Sequence, residues 1–239
     1  MNFIKFIKLF KVNRFTIDRI FHLVINLFSG KVKCTICSWK GNTFYREYCP
    51  VCYSQPRHRL LGYILDEIKL NKYDTVLFIG PGPTEILLSK KRKNLKFYFL
   101  NKSKGDFINM VHDITEENIT SKKFDLIVMW HVLEHIEEDK KAVKNIYHML
   151  KKNGKFLFSV PIYPKNNRIT YIPNYTNIEN KVKLTGHEDH FICPGNDYPE
   201  RFAQINFSFL TDFIVKDFNL KIINQFKLSK NHQAWCYHK

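Results

Sequence analysis

The chain has 239 residues, a length that fits one ordinary α/β domain with a small appendage and is short for two full-sized domains. Apolar residues make up 44% and charged residues 25%, which excludes a largely disordered, collagen-like or low-complexity protein. Lys and Arg outnumber Asp and Glu by 38 to 22, and the net charge of +16 favours anionic partners such as RNA, nucleotide-linked sugars or an anionic membrane surface. The same excess of lysine, spread along the whole chain, is also typical of an AT-rich genome.

The N-terminal segment, residues 2–28, is dense in Phe, Ile and Leu and is interrupted by basic residues. Its longest uncharged run, from Ile20 to Gly30, is shorter than the roughly 20 residues of a membrane-spanning helix. No small-residue cleavage site follows this run, so a secretory signal is not predicted. We predict an amphipathic helix over residues 1–30 that packs on its own domain, on a second subunit, or on an anionic membrane surface. The expected location is cytoplasmic, either soluble or peripheral to the membrane, and the oligomeric state is left open.

Four of the six cysteines form two CxxC pairs with eleven residues between the pairs. Each CxxC turn points two sulfurs at one metal ion, and paired turns of this kind in a reducing compartment bind zinc more often than they form disulfides. We therefore predict a zinc ribbon over residues 31–56, with a structural Zn²⁺ that has no open position for a catalytic water. The predicted ligands are Cys34, Cys37, Cys49 and Cys52.

An alternation of strands and helices follows the cysteines. An apolar stripe at helical spacing over residues 60–68 predicts a helix, and residues 75–79 predict a strand that ends in a glycine turn before a second helix. Strand, glycine turn and helix form the first unit of a nucleotide-binding α/β fold. Further strands are predicted at residues 96–100, 108–111, 124–129, 155–160, 207–213 and 233–238, with helices at about 137–150 and 199–206. The alternation predicts a largely parallel sheet.

Two sequence motifs carry a family resemblance. Residues 124–136, FDLIVMWHVLEHI, and residues 150–161, LKKNGKFLFSVP, resemble the fourth and fifth strands of class I S-adenosylmethionine-dependent methyltransferases. A type 11-like subgroup of that family also has an N-terminal CxxC…CPVC zinc ribbon and an Arg-His-Arg helix. Residues 49–52 and 57–59 match this ribbon and this helix. Residues 186–201 match a downstream segment of the subgroup, and residues 235–239 match the last strand of the family.

The resemblance covers residues 60–239 and implies both a fold and a cofactor. The expected fold is an α/β, Rossmann-like, seven-stranded and mostly parallel sheet over residues 57–239, preceded by the small zinc ribbon. The expected cofactor is S-adenosylmethionine. Residues 161–206, which lack regular periodicity, are predicted to form a substrate lid at the carboxyl edge of the sheet.

The family's cofactor contacts carry over residue by residue. Two glycines would lie beneath the methionine portion, an aspartate would contact the adenine amino group, and two aromatic side chains would flank the sulfonium. The ribose position, which is usually Asp or Glu, is Asn101 here, and this departure removes a charge-assisted hydrogen bond. The predicted contacts are Gly80, Gly82, Asn101, Asp113, Trp130 and His131.

Several of these residues have a second interpretation. Glu85 stands where a third glycine of a dinucleotide-binding fingerprint would stand, and it is either a ligand contact or an acid in the first turn of a helix. Asp113 could instead cap a helix that starts at Thr115. Glu134 and His135 are interpreted as residues of a helix start.

Methyl transfer is an in-line displacement that needs a general base only when the acceptor is a hydroxyl or an amine. His131 and His190 are the candidate catalytic residues, although His131 could be a histidine of the core edge without a chemical role. At least one of His190 and Tyr198 is expected to face the transferable methyl group. The first hypothesis for the acceptor is a glycan hydroxyl or another small molecule, and the second is ribosomal RNA. A third hypothesis is a degenerate, non-catalytic binding protein.

Overall fold

The architecture comes from a computed structural model that describes residues 30–165 and 167–239. The amphipathic helix predicted over residues 1–30 therefore lies outside the described residues, apart from Gly30. None of the described helices is long and apolar enough to cross a bilayer.

The described part of the chain contains nine strands and five α-helices, joined in places by short 3-10 turns. The strands are β1 (Val32–Lys33), β2 (Lys40–Gly41), β3 (Thr75–Ile79), β4 (Lys96–Asn101), β5 (Met110–Val111), β6 (Phe124–Trp130), β7 (Leu150–Ser159), β8 (Phe209–Ile214) and β9 (Gln233–His238). The helices are α1 (Pro56–Glu67), α2 (Pro83–Lys91), α3 (Asp139–Met149), α4 (Ile178–Thr185) and α5 (Leu220–Phe226).

Seven of these described strands form one sheet in the order β5-β4-β3-β6-β7-β9-β8. The first five are parallel, and β9 and β8 run antiparallel to their neighbours. The Rossmann-like, mostly parallel sheet predicted from the sequence is confirmed. Because the chain leaves β3 toward β4 on one side and later enters β6 on the other, the carboxyl end of β3 is the switch point where such sheets bind ligands.

The strands are apolar on both faces because helices cover both faces of the sheet. In β6, alternate residues belong to two separate cores: Leu126 and Val128 face one layer, and Ile127 and Met129 face the other. The first layer contains the ribbon, α1, α2 and α5, whereas the second contains α3. The sheet, including its carboxyl edge, therefore lies between two packed layers.

The ribbon is a small unit in which β1 and β2 pair as an antiparallel hairpin. It docks on the main domain through Arg59 of α1, which is fully buried. The Arg59 guanidinium donates hydrogen bonds to backbone carbonyls of Glu47 and Ser54 in the ribbon, and of Phe226 and Lys227 at the end of α5. One side chain thus joins the ribbon to the C-terminal part of the sheet domain.

The segment 161–206 differs in part from its predicted loop structure. It contains α4, whose first turn is capped by the Asn177 side chain and whose C-terminus is Gly186 in the left-handed conformation (φ 80°). The helix predicted at 199–206 is a shorter 3-10 turn, and α5 was not predicted. The helices α4 and α5 have only eight and seven residues, too few for a clear apolar stripe. Helices this short depend on tertiary packing.

Candidate active site and cysteine cluster

The four predicted zinc ligands lie together in the ribbon. The Sγ atoms of Cys34 and Cys52 are 3.6 Å apart, those of Cys37 and Cys49 are 3.5 Å apart, and all four lie within 4.8 Å of one another. A tetrahedral zinc ion with Zn–S bonds of about 2.3 Å separates its sulfurs by about 3.8 Å. The cluster therefore has the donors and the spacing for one tetrahedral ion, and none of these cysteines forms a disulfide.

Mutual contacts also prepare one of these thiols for deprotonation. Hydrogen bonds from Cys37, Cys49 and Cys52 lower the pKa of Cys34, and the Ser54 hydroxyl contributes in the same direction. A thiolate is the form that binds a metal ion, and Cys34 is the thiol best prepared to supply one. The same mutual contacts raise the pKa of Cys37 and Cys49, so these two thiols would lose their protons to a bound ion. The charged guanidinium of Arg59 lies beside this cluster, and its pKa is lowered by burial only to about 10.

A cavity of about 360 Å³ opens at the carboxyl ends of β3 and β4. Gly80, Asn101 and Asp113, three of the predicted cofactor contacts, line it. Gly80 has φ 63°, and a Cβ atom there would meet the Val132 side chain at 2.9 Å. A residue with a side chain would therefore be both strained and sterically blocked at this turn. Polar, charged and apolar side chains complete the lining, and the apolar ones include Ile79, Leu100, Ile114 and Phe191.

The two polar side chains of this cavity that were predicted to contact the cofactor already have partners. The Asn101 Oδ1 accepts a hydrogen bond from the Lys102 backbone N–H at 2.8 Å, which leaves the amide donors free to face a ligand. Asp113 accepts from the backbone N–H and the hydroxyl of Thr115, and Lys102 Nζ lies 3.0 Å from its carboxylate. These hydrogen bonds lower the pKa of Asp113 to about 2, and the bond from the Thr115 backbone has the largest effect. No helix starts at Thr115, so the helix-capping interpretation of Asp113 is wrong, and Asp113 closes a turn instead.

Four other predicted contacts lie outside this lining, and one of them, His131, lines the second cavity described below. Gly82 precedes α2, and its backbone N–H donates to the carboxylate of Glu85 at 3.1 Å, as an acid in the first turn of a helix does. Glu85 also lies 3.6 Å from the His58 ring, and burial raises its pKa. Trp130 is buried in the core layer that contains α1.

A second cavity, of about 600 Å³, lies between the ribbon, the sheet and the segment 161–206. Arg57 of α1 reaches it from the ribbon side, and among the described residues no carboxylate lies within 4 Å of its guanidinium. Five histidines line the cavity: His131, His135, His187, His190 and His232. The cavity is therefore rich in hydrogen-bonding imidazole rings, and its lining also includes the guanidinium of Arg57 and the carboxyl group of Glu47.

His131 and Glu134 form a buried pair on the wall of this cavity, with 3.6 Å between Nδ1 and Oε1. Burial lowers the pKa of His131 well below its usual value and raises the pKa of Glu134 to about 8. Both groups are therefore uncharged at neutral pH. A neutral imidazole can accept a proton, so His131 has the form that a general base needs.

His190 also lines this cavity, and its Nδ1 is 3.0 Å from the carbonyl oxygen of Thr185. Burial lowers the pKa of His190 to about 4. Tyr198, the other residue expected near the methyl group, is fully buried and donates to Asp139 Oδ2 at 3.0 Å. Arg201 makes two further hydrogen bonds to the same carboxylate, so Tyr198 and Arg201 belong to the core and do not line the cavity.

Sequence reasoning missed two features of this site. His135 was interpreted as part of a helix start, yet it ends a 3-10 turn four residues before α3 and is the one described residue that lines both cavities. His232 was assigned no role, and no local pattern marks it. The repeated histidines of the segment 186–190 were a signal for His187, since several imidazoles in one loop are typical of a site.

The structure is that of a Rossmann-like protein with two adjoining cavities at the carboxyl edge of its sheet. The sequence profile of the methyltransferase domain family matches residues 41–207, and the chain belongs to this family. The resemblance to class I S-adenosylmethionine-dependent methyltransferases is thereby confirmed. No curated protein is similar to the chain at a significant level.

Solved methyltransferases share the fold at low sequence identity. Coclaurine N-methyltransferase, bound to N-methylheliamine and S-adenosylhomocysteine, is 14% identical with a TM-score of 0.57, over 92% of this chain and 81% of that one. A SAM-dependent methyltransferase from Archaeoglobus fulgidus is 15% identical with a TM-score of 0.52, over 77% and 92%. A Haloferax volcanii methyltransferase complex with the activator Trm112 is 12% identical with a TM-score of 0.51, over 76% and 90%.

Proposed function

We propose that this protein binds S-adenosylmethionine in the smaller cavity and transfers its methyl group to a hydroxyl of an acceptor in the larger one. The observation that carries the proposal is the position of His135, which lines both cavities. Two molecules bound in these cavities would meet at this residue. Such a meeting point is what an in-line methyl transfer requires, because most of its rate comes from positioning.

The residues of the smaller cavity fit the parts of the cofactor. The turn at Gly80 brings bare backbone to the carboxyl end of β3, where the methionine portion would lie. The apolar side chains of Leu100 and Ile114 suit the adenine ring, and Asp113 is an ionised acceptor for its amino group. Asn101 supports ribose binding mainly as a donor, because its oxygen already accepts a hydrogen bond from Lys102.

The residues of the larger cavity favour an acceptor that carries both hydroxyl groups and a negative charge. Arg57 presents a guanidinium with no described carboxylate beside it, and a guanidinium suits a carboxylate or a phosphate. Burial raises the pKa of Glu134 to about 8, so Glu134 adds little opposing charge, and Glu47 is the other acidic residue of this lining. Imidazole rings around this charge supply hydrogen bonds to hydroxyls. A nucleotide-linked or otherwise anionic sugar is therefore the proposed acceptor class.

The chemistry divides between the cofactor and the protein. When bound, S-adenosylmethionine supplies a methyl carbon that its sulfonium has already activated. The protein holds the acceptor oxygen against that carbon and takes the hydroxyl proton, a role that we assign to His131 with His190 in the same cavity. His131 is neutral and buried, so it accepts a proton only when the acceptor oxygen becomes more acidic during transfer.

The ribbon has a structural role in this proposal. A zinc ion held by the four cysteines would fold residues 31–56 and thereby position α1, whose residue Arg57 reaches the larger cavity. Since all four positions of the ion would be filled by sulfur, it would take no part in methyl transfer.

The test begins with equilibrium binding of S-adenosylmethionine and S-adenosylhomocysteine to the full-length protein by calorimetry. We expect micromolar affinity for both, and a loss of at least tenfold in Gly80→Val, whose side chain would clash with Val132. Failure of the wild-type protein to bind either compound would support a non-catalytic relic and contradict the proposal. Glu200→Gln, at an exposed position that lines neither of the two cavities, is the matched control.

The acceptor is tested separately by release of S-adenosylhomocysteine with a panel of nucleotide-linked sugars and with total ribosomal RNA. We expect turnover with anionic sugars and none with RNA, and Arg57→Gln should raise KM more than it lowers kcat. Methyl incorporation into RNA alone would keep the methyltransferase assignment and overturn the glycan acceptor. In that case transfer should fall steeply with salt.

A further inference from the structure

A cluster of three histidines lies where the two cavities meet. His135 comes from the turn after β6, and His187 and His190 come from the loop after α4, about 50 residues later in the sequence. The ring of His190 lies 4.7 Å from that of His135 and 5.1 Å from that of His187, measured between centroids. One donor nitrogen of each ring lies within 4.8 Å of the other two.

The hydrogen bonds of two of these three rings leave a nitrogen lone pair available. His190 Nδ1 lies 3.0 Å from the Thr185 carbonyl oxygen, so Nδ1 carries the proton and Nε2 carries the lone pair. His187 Nδ1 accepts a hydrogen bond from the Asp189 backbone N–H at 3.1 Å, so this lone pair is engaged and His187 must give up that hydrogen bond to bind a metal ion. His135 hydrogen-bonds to the backbone of Asp189 through one nitrogen, which leaves the other for a ligand. Imidazoles anchored on backbone groups in this way are typical of metal-binding histidines.

We propose that His135, His187 and His190 bind one divalent transition-metal ion of the zinc class at the junction of the two cavities. Three imidazoles with a fourth, open position are the donor set of a catalytic zinc site and differ from the closed four-sulfur set of the ribbon. Zn–N bonds of about 2.0–2.1 Å would separate the nitrogens by about 3.3 Å. The rings must therefore approach one another slightly, and His187, whose side chain is half exposed, is free to do so.

The charges around this cluster are mixed. The Asp189 carboxylate lies 3.9 Å from His187 Nδ1 and is exposed, so it can add a negative charge or a fourth oxygen ligand. Lys181 is the opposing charge, and its ammonium is occupied over the rings of Tyr175 and Phe191 at 5.0 and 4.5 Å. Imidazole nitrogen donors with one carboxylate nearby favour zinc, nickel or copper over magnesium or calcium.

The catalytic role that we assign to this ion rests on the proposed methyl transfer. An acceptor hydroxyl bound at the open position would become more acidic, since a divalent ion stabilises the oxygen anion. The proton would pass to His131 or to solvent, the oxygen would form a bond with the methyl carbon, and the carbon–sulfur bond would break to give S-adenosylhomocysteine. The ion would thus promote deprotonation of the acceptor hydroxyl, for which His131 alone is a weak base.

Cobalt titration tests the site without knowledge of the acceptor. Full-length protein with its cysteine cluster loaded with zinc is titrated with Co²⁺ while visible absorption is recorded. We expect one further equivalent to bind, with the d–d bands of nitrogen ligation and without a thiolate-to-cobalt charge-transfer band. His187→Ala should weaken Co²⁺ binding at least tenfold, whereas the exposed His148→Ala on α3 should not change it.

His187 is chosen because its side chain is half exposed, so its removal should leave the protein folded. Thermal unfolding checks this directly. Added Zn²⁺ should raise the Tm of the wild-type protein and leave the Tm of His187→Ala unchanged. Absence of a further Co²⁺ equivalent, a thiolate band, or equal binding by His187→Ala would each overturn the metal site.

The result is separable from the test of the methyltransferase itself. S-Adenosylmethionine binding and methyl transfer that persist in protein without metal at the histidines would leave the methyltransferase proposal intact and refute the role of the ion. Cobalt binding by a protein that binds no S-adenosylmethionine would establish the histidine site and refute methyl transfer.

Discussion

The Nε–H of Arg59 donates a hydrogen bond to the carbonyl oxygen of Phe226 at 2.7 Å, across 167 positions of the sequence. The same guanidinium lies over the ring of Phe44 at 3.8 Å. Through this side chain the ribbon, α1 and the end of α5 form one packed layer, and that layer carries Arg57 to the wall of the larger cavity.

Replacement of Arg59 by Met should destabilise the protein by about 3 kcal/mol or more. The change leaves buried backbone carbonyls without donors, and such unsatisfied groups cost about 1–3 kcal/mol each. Chemical denaturation monitored by circular dichroism measures the loss. Arg57→Met is the matched control, because Arg57 is partly exposed and should change the free energy of unfolding by less than about 1 kcal/mol. Equal losses in both variants would show that Arg59 does not hold the layers together.

Substitution of Cys49 by Ser should release one equivalent of zinc and loosen residues 31–56, while the sheet remains folded. Two thiolate pairs without their ion would repel each other, and the small ribbon has little other core. Elemental analysis gives the stoichiometry, and hydrogen exchange gives the extent of loosening. Cys193→Ser is the control, since the Cys193 thiol donates to the Leu184 carbonyl, as serine also can. Wild-type protein purified without chelators and lacking zinc would refute the ribbon site.

Asn101→Asp should tighten S-adenosylmethionine binding by about 1 kcal/mol, because a carboxylate forms stronger hydrogen bonds to ribose hydroxyls than an amide does. One carboxylate oxygen can still accept from the Lys102 backbone, so the turn should be preserved. Calorimetry measures the change. Asn109→Asp adds the same charge outside the cavity and retains its hydrogen bond from the Phe99 backbone, so its affinity should equal that of the wild type. Unchanged affinity in Asn101→Asp would mean that Asn101 does not face the ribose.

His190→Ala should reduce methyl transfer at least tenfold and change S-adenosylmethionine affinity less than twofold, because His190 lines only the larger cavity. Single-turnover transfer and equilibrium binding are measured on the same preparation. His148→Ala again serves as the control for loss of a histidine. A variant that loses cofactor binding but retains acceptor affinity would refute the division into a cofactor cavity and an acceptor cavity.

Stability should fall as the pH is lowered from 7 to 5, in part because of His232. Burial, and then the charges of Arg57 and Arg59, lower the pKa of His232 to about 4 in the folded protein. A histidine with a depressed pKa stabilises the fold above the unfolded value near 6.5, and this contribution disappears as the pH falls toward the folded value. The loss attributable to His232 is about 2 kcal/mol between pH 7 and pH 5.

His232→Leu should remove that part of the acid sensitivity. Urea denaturation at pH 7 and pH 5 compares the two proteins, with His148→Leu as the control at an exposed position. If His232→Leu and the wild type lose the same stability between these pH values, the ring of His232 is already solvated in the folded protein.

Local sequence patterns were sufficient to predict the cysteine cluster, β3 and the turn at Gly80. The spacing of the cysteines predicted a cluster that the structure brings within 4.8 Å, because two knuckles of fixed geometry need only a short hairpin between them. The apolar run at 75–79 and the glycine after it predicted β3 and the turn at Gly80, since strand length and backbone freedom are local properties. Asp113, assigned to the cofactor site through the resemblance, lines the same cavity as Asn101, and no helix starts at Thr115.

The sequence by itself therefore determined the sheet, the cysteine cluster and one wall of the smaller cavity, all of which follow from periodicity, turn residues and motif spacing. Only the tertiary structure decided which distant segments meet: Arg57 from α1, His131 and His135 after β6, and His190 and His232 much later in the chain. The physical reason is that these contacts depend on how two core layers dock across the sheet. Helices as short as α4 and α5 acquire their positions only from that packing.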